Sequence, residues 1–375
     1  IHPINLPAVS IIVPAYNEEV NIAKTIRNLL NLTYQVFEIV VIDDGSKDNT
    51  FKILQDEFHE NAKVKLFTKD NGGKASALNL GIANATFDYI VCIDADTQLM
   101  NDAVTKIMEC FIKNDNTDNP VGAVAGVVKV GNEKNLLTKW QSIEYITAQN
   151  FERRAFDLIN AITVVPGAIG AFKKEVVEQV GGFTSDTLAE DCDLTIRVLK
   201  NNYRVVSCTD AIAITEAPET IKQFMKQRFR WNYGIMQSFW KNKDACFNPA
   251  FKSLGLFALP NILIFQIILP MIAPLADVMF IVGIIWNRND PASLHKLELF
   301  YLIYFVIDVL TSVVAFSFEK EKIAKLIWLI PQRLIYRQLM YVILFRSIRR
   351  AIRGQHQGWG VLKRTGNVNV NIASN

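Results

Sequence analysis

The feature that most constrains this chain is an alternation of short β-branched runs and amphipathic helical patterns over its first hundred residues. Val9–Val13, Phe37–Ile42, Lys63–Phe67 and Tyr89–Ile93 read as strands, and Glu18–Leu30, Asp48–Phe58 and Lys74–Ala83 as helices. That βαβαβαβ order predicts an α/β fold, a parallel sheet with helices on both faces. Ligands of such sheets bind beyond the carboxyl ends of the strands. Every one of those ends is polar here: Pro14-Ala-Tyr-Asn-Glu18, Asp43-Asp-Gly-Ser46, Asp70-Asn-Gly-Gly-Lys74 and Asp94-Ala-Asp96. Packing alone does not explain apolar strands that each stop at acids or glycines. Neither GxGxxG nor GxxxxGK occurs, which argues against a dinucleotide fold and a P-loop NTPase.

Further along, Gly122–Val130 adds a strand and Leu136–Ile159 a long amphipathic helix bearing Trp140, Tyr145 and Phe151. Pro166–Gly170 reads as a loop, Leu188–Lys200 as a helix opening on Ala189-Glu-Asp191, and Tyr203–Val206 and Ala211–Thr215 as short strands. Thr220–Trp240 is a helix containing Gln227-Arg-Phe-Arg-Trp231.

From Leu254 the character changes. Leu254–Trp286 is nearly uncharged apart from Asp277, and Leu299–Phe318 apart from Asp308. About 20 apolar residues cross a hydrocarbon core of about 30 Å. The reading is therefore a soluble domain over 1–245, transmembrane and interface helices over 246–353, and a cytoplasmic tail over 354–375. Two spans are expected, Ala258–Trp286 and Leu299–Phe318, with division of the first at Pro270 and Pro274 as the rival. The third apolar stretch, Ile323–Phe345, carries Gln332, Arg333, Arg337 and Gln338 at its centre. Those groups are costly facing lipid, so it reads as an interface helix or one lining a polar channel. The chain opens on Ile1 without a methionine, and further membrane segments are expected before it.

The net charge of +3 hides a basic cluster over residues 319–364. Beside apolar spans, such a cluster fits the anionic cytoplasmic face of a membrane, with no nucleic-acid partner. Five cysteines without CxxC spacing and four scattered histidines predict reduced thiols and no zinc site.

Several of these residues carry chemistry. Two carboxylates spaced Asp94-x-Asp96 at a strand end can present oxygens to Mg²⁺ or Mn²⁺, whose remaining ligands are waters and substrate phosphates. Asp43 and Asp44 read either as a turn or as acceptors for a nucleobase or ribose. Asp191 reads either as a residue favoured by the helix dipole or as a general base that deprotonates an acceptor hydroxyl. Gln227 and Trp231 share a helical face, suited to stacking a sugar or to an amphipathic helix lying on the membrane.

These motifs, in this order, resemble the processive family-two glycosyltransferases of the GT-A fold: cellulose, chitin and hyaluronan synthases and bacterial poly-β-1,6-N-acetylglucosamine synthases. The resemblance runs closely over 9–241 and loosely beyond. It implies a Rossmann-like, mostly parallel sheet. It also implies a nucleotide-sugar site drawn from Glu18, Asp43, Asp44, Lys74, Asp94 and Asp96, with Asp94 and Asp96 at the metal and Asp96 the direct ligand. Asp191 would be the catalytic base, and Gln227, Arg228, Arg230 and Trp231 would hold the acceptor and diphosphate. Trp359 and Arg364, within 358–366, resemble a gating loop, and otherwise read as an interfacial anchor and a positive-inside residue. The family commonly has Thr before Glu-Asp where this chain has Ala189.

The expected partners are a UDP-sugar donor, a growing polysaccharide, the lipid bilayer and accessory membrane subunits. The expected location is a bacterial-type plasma membrane with the catalytic domain cytoplasmic. Val165–Lys173 and Ala217-Pro-Glu-Thr220 lean towards N-acetylglucosamine as the sugar. Rival readings are transfer of one sugar to a lipid carrier, a hyaluronan, chitin or cellulose-type synthase, and an inactive polysaccharide-binding or channel subunit.

Overall fold

A computed structural model describes residues 6–353, 366 and 368 of the chain. Its centre is an eight-stranded sheet in the order β3-β2-β1-β4-β7-β6-β8-β5. The strands are β1 (Val9–Ala15), β2 (Phe37–Asp43), β3 (Val64–Thr68), β4 (Tyr89–Cys92), β5 (Gln98–Leu99), β6 (Val121–Val130), β7 (Gly170–Lys173) and β8 (Arg204–Thr215). β3, β2, β1 and β4 run parallel, β7 opposes both β4 and β6, and β8 is parallel to β6. The sheet is thus mostly parallel and Rossmann-like, as GT-A domains are. Val, Ile and Ala fill β1, β2 and β6 almost throughout, because a parallel sheet is covered on both faces.

One buried cluster joins α1 (Ile22–Leu30), α2 (Thr50–Phe58) and α4 (Ala103–Asn114) to the sheet. A second joins α3 (Lys74–Ala83), α7 (Lys174–Gln179) and α8 (Glu190–Lys200) to the other face. The helix expected from Glu18 begins at Ile22, because the Asn21 and Ile22 amides close a turn on the Glu18 carbonyl. The two strands expected at 203–215 are one, whose register against β6 slips between Ala125 and Val127. The long helix expected from Leu136 starts there as α5 (Leu136–Glu144), with Asn135 as its cap. It winds through a wide turn at Tyr145–Asn150 and ends as α6 (Phe151–Asp157). α9 (Ile221–Lys241) follows β8, capped by Thr220.

Two helices are long and apolar enough to cross a membrane, Leu254–Trp286 and Pro291–Phe318, with mean hydropathies of 2.3 and 2.2. The prolines at 270 and 274 do not divide the first one. Its opening residues Leu254, Ala258, Leu259 and Ile262 are buried with the second cluster of the sheet domain, so the helix is rooted in that domain. Residues 323–352 return along α5 and α9. The Trp140 indole donates to the Trp328 carbonyl at 3.0 Å, and Tyr336 and Ile343 pack with Leu137, Trp140 and Phe224. Arg333 pairs with Asp308 of the second long helix at 2.6 Å, and Arg337 pairs with Asp277 of the first. The charges at the centre of this segment are neutralised by Asp308 and Asp277, acids set within the two long helices.

Candidate active site

The site is assembled where β1, β2 and β4 end. Gly45 follows β2 at a φ of +71°, and a Cβ there would meet the Asn71 amide nitrogen at 2.8 Å. This close approach lays the 69–73 loop against Asp44. The buried Asp44 carboxylate accepts from Lys69 Nζ at 2.8 Å and from the Gly72 and Gly73 amides at 3.0 and 2.8 Å. Asp43 is buried too, but differently. Its Oδ2 accepts from the Ser46 amide and Thr68 Oγ1 at 3.3 and 3.2 Å, while Oδ1 has no hydrogen-bond partner among the described residues. Two neighbouring acids that look equivalent in sequence have separate work: Asp44 braces a loop, and Asp43 keeps an acceptor in reserve. Glu18 stands at the end of β1, its amide donating to Thr50 Oγ1 at 2.8 Å.

Lys74 opens α3 and is the hub of the cleft. Its ammonium lies 2.6 Å from Asp94 Oδ1 and 3.1 Å from Glu190 Oε1. Burial opposes that charge, but Asp94, Glu190 and Asp191 outweigh it and hold the group protonated well above the ordinary lysine range. Lys74, Glu190, Asp191, Pro166, Gly167 and Cys92 line one narrow cleft. A Cβ on Gly167 would meet Lys74 Nζ at 2.6 Å, so backbone forms that wall. Asp191 lies in the first turn of α8, with Oδ1 accepting from the Cys192 amide at 2.8 Å. Burial and the neighbouring Glu190 push its carboxyl up to about 6, against the pull of Lys74. A carboxylate poised there suits proton abstraction near neutrality. Glu190 was not among the candidate residues of the sequence. Its signal was the acid doublet itself, whose first member neutralises the cation of the motif.

The Asp94-x-Asp96 turn is held by α1, through a 2.7 Å bond from Thr25 Oγ1 to the Ala95 carbonyl. Asp96 is buried and accepts from Thr97 Oγ1 at 3.4 Å, whereas the Asp94 side chain is about a third exposed at 34%. Among the described residues no group of three or more His, Cys, Asp or Glu side chains is arranged to hold a metal ion. Two carboxylates at a strand end fit a hard ion that draws its other ligands from water and phosphate, and do not fit a cage made of protein alone.

On α9, Gln227 and Arg228 are both buried, at 6% and 1% exposure. Arg228 donates to Glu144 Oε2 at 2.5 Å and lies 4.2 Å from the Trp231 ring centroid. Trp231 and Arg230 are half-buried on the next turn. The structure thus separates Arg228, enclosed by protein, from the half-buried Arg230 and Trp231. Trp359 and Arg364 lie outside the described residues. Beyond them, the Gly366 amide donates to Glu216 at 3.1 Å and Gln98 donates to the Val368 carbonyl at 3.1 Å.

Residues 10–181 match the family described as Glycosyl transferase family 2. A poly-beta-1,6-N-acetyl-D-glucosamine synthase of Staphylococcus epidermidis is 35% identical over 237 residues, covering 62% of this chain and 56% of that protein. One from Staphylococcus aureus strain COL is 34% identical over 229 residues, covering 61% and 55%. The chain spans a little over half the length of these relatives. A mannosyltransferase of Pyrobaculum calidifontis, solved in complex with GDP-Man and Mn²⁺, has a similar structure. It aligns with a TM-score of 0.66 over 94% of this chain and 89% of its own, at 21% identity. That likeness is one of fold.

Proposed function

From the premise that this chain is a glycosyltransferase with a family 2 domain of GT-A fold, we propose that it polymerises N-acetylglucosamine from UDP-N-acetylglucosamine into a β-linked exopolysaccharide. The observation that carries the chemistry is the shared cleft in which Lys74 joins Asp94 to Glu190 while Asp191 lines the same wall. The sugar, and a β-1,6 linkage, are proposed from the names of the staphylococcal relatives.

In this reading Asp191 accepts the proton of the acceptor hydroxyl, and that oxygen attacks the anomeric carbon. The bond from that carbon to the UDP oxygen breaks as the new glycosidic bond forms, so the anomeric configuration inverts. Asp43 Oδ1 is the acceptor that suits a uracil N–H, since an unpartnered buried oxygen calls for a donor. Lys74 supplies positive charge beside the departing diphosphate. Asp94 and Asp96 would hold Mg²⁺ or Mn²⁺, which offsets charge on the leaving nucleoside diphosphate. Trp231 offers an indole face to the acceptor sugar, with Gln227 and Arg230 beside it. The two long apolar helices and the packing of residues 323–352 along α5 and α9 support an acceptor end beside the bilayer, from which a lengthening chain would be passed across the membrane.

The test is UDP release by the full chain in lipid vesicles, offered UDP-N-acetylglucosamine, UDP-glucose and UDP-glucuronate separately. The expected result is release with the first donor only, product longer than one sugar, and loss of both on Asp191→Asn. Release without polymer would replace this reading with transfer of a single sugar. An Asp191→Asn variant as fast as the parent would sink the mechanism.

A further inference from the structure

Arg228 occupies a position unlike that of a ligand-binding arginine. Its side chain is enclosed on every side that the contacts define. Nη2 donates to Glu144 Oε2 at 2.5 Å and to the Tyr336 hydroxyl at 3.4 Å, and that hydroxyl itself donates to Glu144 Oε2. The guanidinium carbon lies 4.2, 5.3 and 5.8 Å from the ring centroids of Trp231, Phe224 and Tyr145. Nε and Nη1 have no hydrogen-bond partner among the described residues. In that setting aromatic faces take the place of acceptors, which a guanidinium accepts better than an ammonium does.

We infer that Arg228 is a positioning residue for acceptor binding: clamped by Glu144 and Tyr336, it fixes the indole plane of Trp231. The inference rests on the reading of Trp231 as the surface on which the acceptor sugar stacks. Arg228 and Trp231 are three residues apart, so their side chains meet on one helical face. Tyr145 approaches the same indole, with centroids 6.2 Å apart. A ring held from one side loses little freedom when a sugar lands on the other, and that saving appears as affinity.

The clamp also has a source. Glu144 ends α5, and Tyr336 sits between Arg333 and Arg337, which bind Asp308 and Asp277 of the two long apolar helices. The orientation of the acceptor ring is thereby set from the membrane side of the molecule. In this inference Arg228 contacts neither the diphosphate nor the reacting atoms. It acts on the acceptor through Trp231 alone.

The experiment uses the full chain in vesicles. Initial UDP release is measured against a soluble β-1,6-linked N-acetylglucosamine pentasaccharide and, separately, against UDP-N-acetylglucosamine. In R228K and E144Q the KM for the pentasaccharide is expected to rise about tenfold, the scale of a desolvated cation–π contact. The donor KM and the affinity for UDP are expected to stay within about twofold. E144Q touches neither substrate and keeps Arg228, so it still reports if R228K fails to fold. A raised donor KM or weakened UDP binding in R228K would place Arg228 at the diphosphate and overturn the inference. So would an unchanged pentasaccharide KM in both variants. A parent chain that elongates nothing would overturn the functional reading and this inference together, whereas an active parent with unaltered variants overturns this inference alone.

Discussion

The Lys74 ammonium lies 2.6 Å from Asp94 Oδ1, so one acid of the strand-end pair is held by a cation that also reaches Glu190. A single side chain thereby ties the end of β4 to the start of α8 and offsets the charge of three carboxylates, Asp94, Glu190 and Asp191. Removing it leaves Asp94, Glu190 and Asp191 facing each other without compensation. Lys74→Met is expected to cost about 3–5 kcal/mol of stability, the usual penalty for orphaning a buried charge. It should also cut UDP release by roughly a hundredfold or more, as loss of an electrostatic contact at a reacting centre does. Thermal melting in detergent and a UDP-release assay check the two effects separately.

The pH dependence follows from Asp191. Its carboxyl is pushed up to about 6 by burial and by Glu190, and only the ionised form can take a proton. The kcat/KM for the donor is therefore expected to rise through a pH of about 6 and level off above it. Glu190→Gln removes the like charge and should move that limb to lower pH while leaving Asp191 in place. A limb that stays where it was in Glu190→Gln would mean that another group titrates.

Asp43 and Asp44 are expected to part company under substitution. Asp44→Asn loses an acceptor for the 69–73 loop, including a charge-assisted bond from Lys69, and should cost roughly 1.5–3 kcal/mol. Asp43→Asn keeps its volume and changes the chemistry of the oxygen that is left over. It should weaken UDP binding by roughly tenfold with little change in melting temperature. Isothermal titration with UDP, beside a melting curve for each variant, decides between them.

The order of the first seven elements was legible because each strand is a β-branched run that ends at a turn-forming acid or glycine, a purely local signal. β7 was not, since Gly170–Lys173 is only four residues long, follows a proline–glycine turn, and is a strand because β4 and β6 flank it. The site acids were legible for the same local reason as the strands. The division of labour among them was not: what separates Asp43 from Asp44 is the backbone of a loop 28 residues on. Arg228 is the sharpest case. Its position beside Gln227 groups it in the sequence with the residues expected to hold the acceptor, but Glu144 and Tyr336, 84 and 108 residues away, decide where its guanidinium goes.

A last prediction concerns the far end of the sheet. Glu38 is the second residue of β2, five before Asp43, and is buried at 7% exposure. It accepts from Ser10 Oγ at 2.6 Å, from the Thr86 amide and hydroxyl at 2.6 and 3.0 Å, and pairs with Lys65 at 2.6 Å. Burial raises its pKa, but these donors win, and the folded-state value is lowered. A depressed carboxyl stabilises the fold above its unfolded pKa, about 4.3, and that contribution fades as pH falls towards the folded value. Melting temperature should therefore drop as the pH is lowered from about 5 to about 3. Glu38→Gln should lower the melting temperature at neutral pH, by the equivalent of about 1–3 kcal/mol, and flatten that acid slope. Since Glu38 braces β1, β2, β3 and the 86–87 turn at the end of the strands remote from the cleft, the kcat of the variant should match the parent at a temperature where both are folded. A fall in kcat there would show that this network reaches the active site.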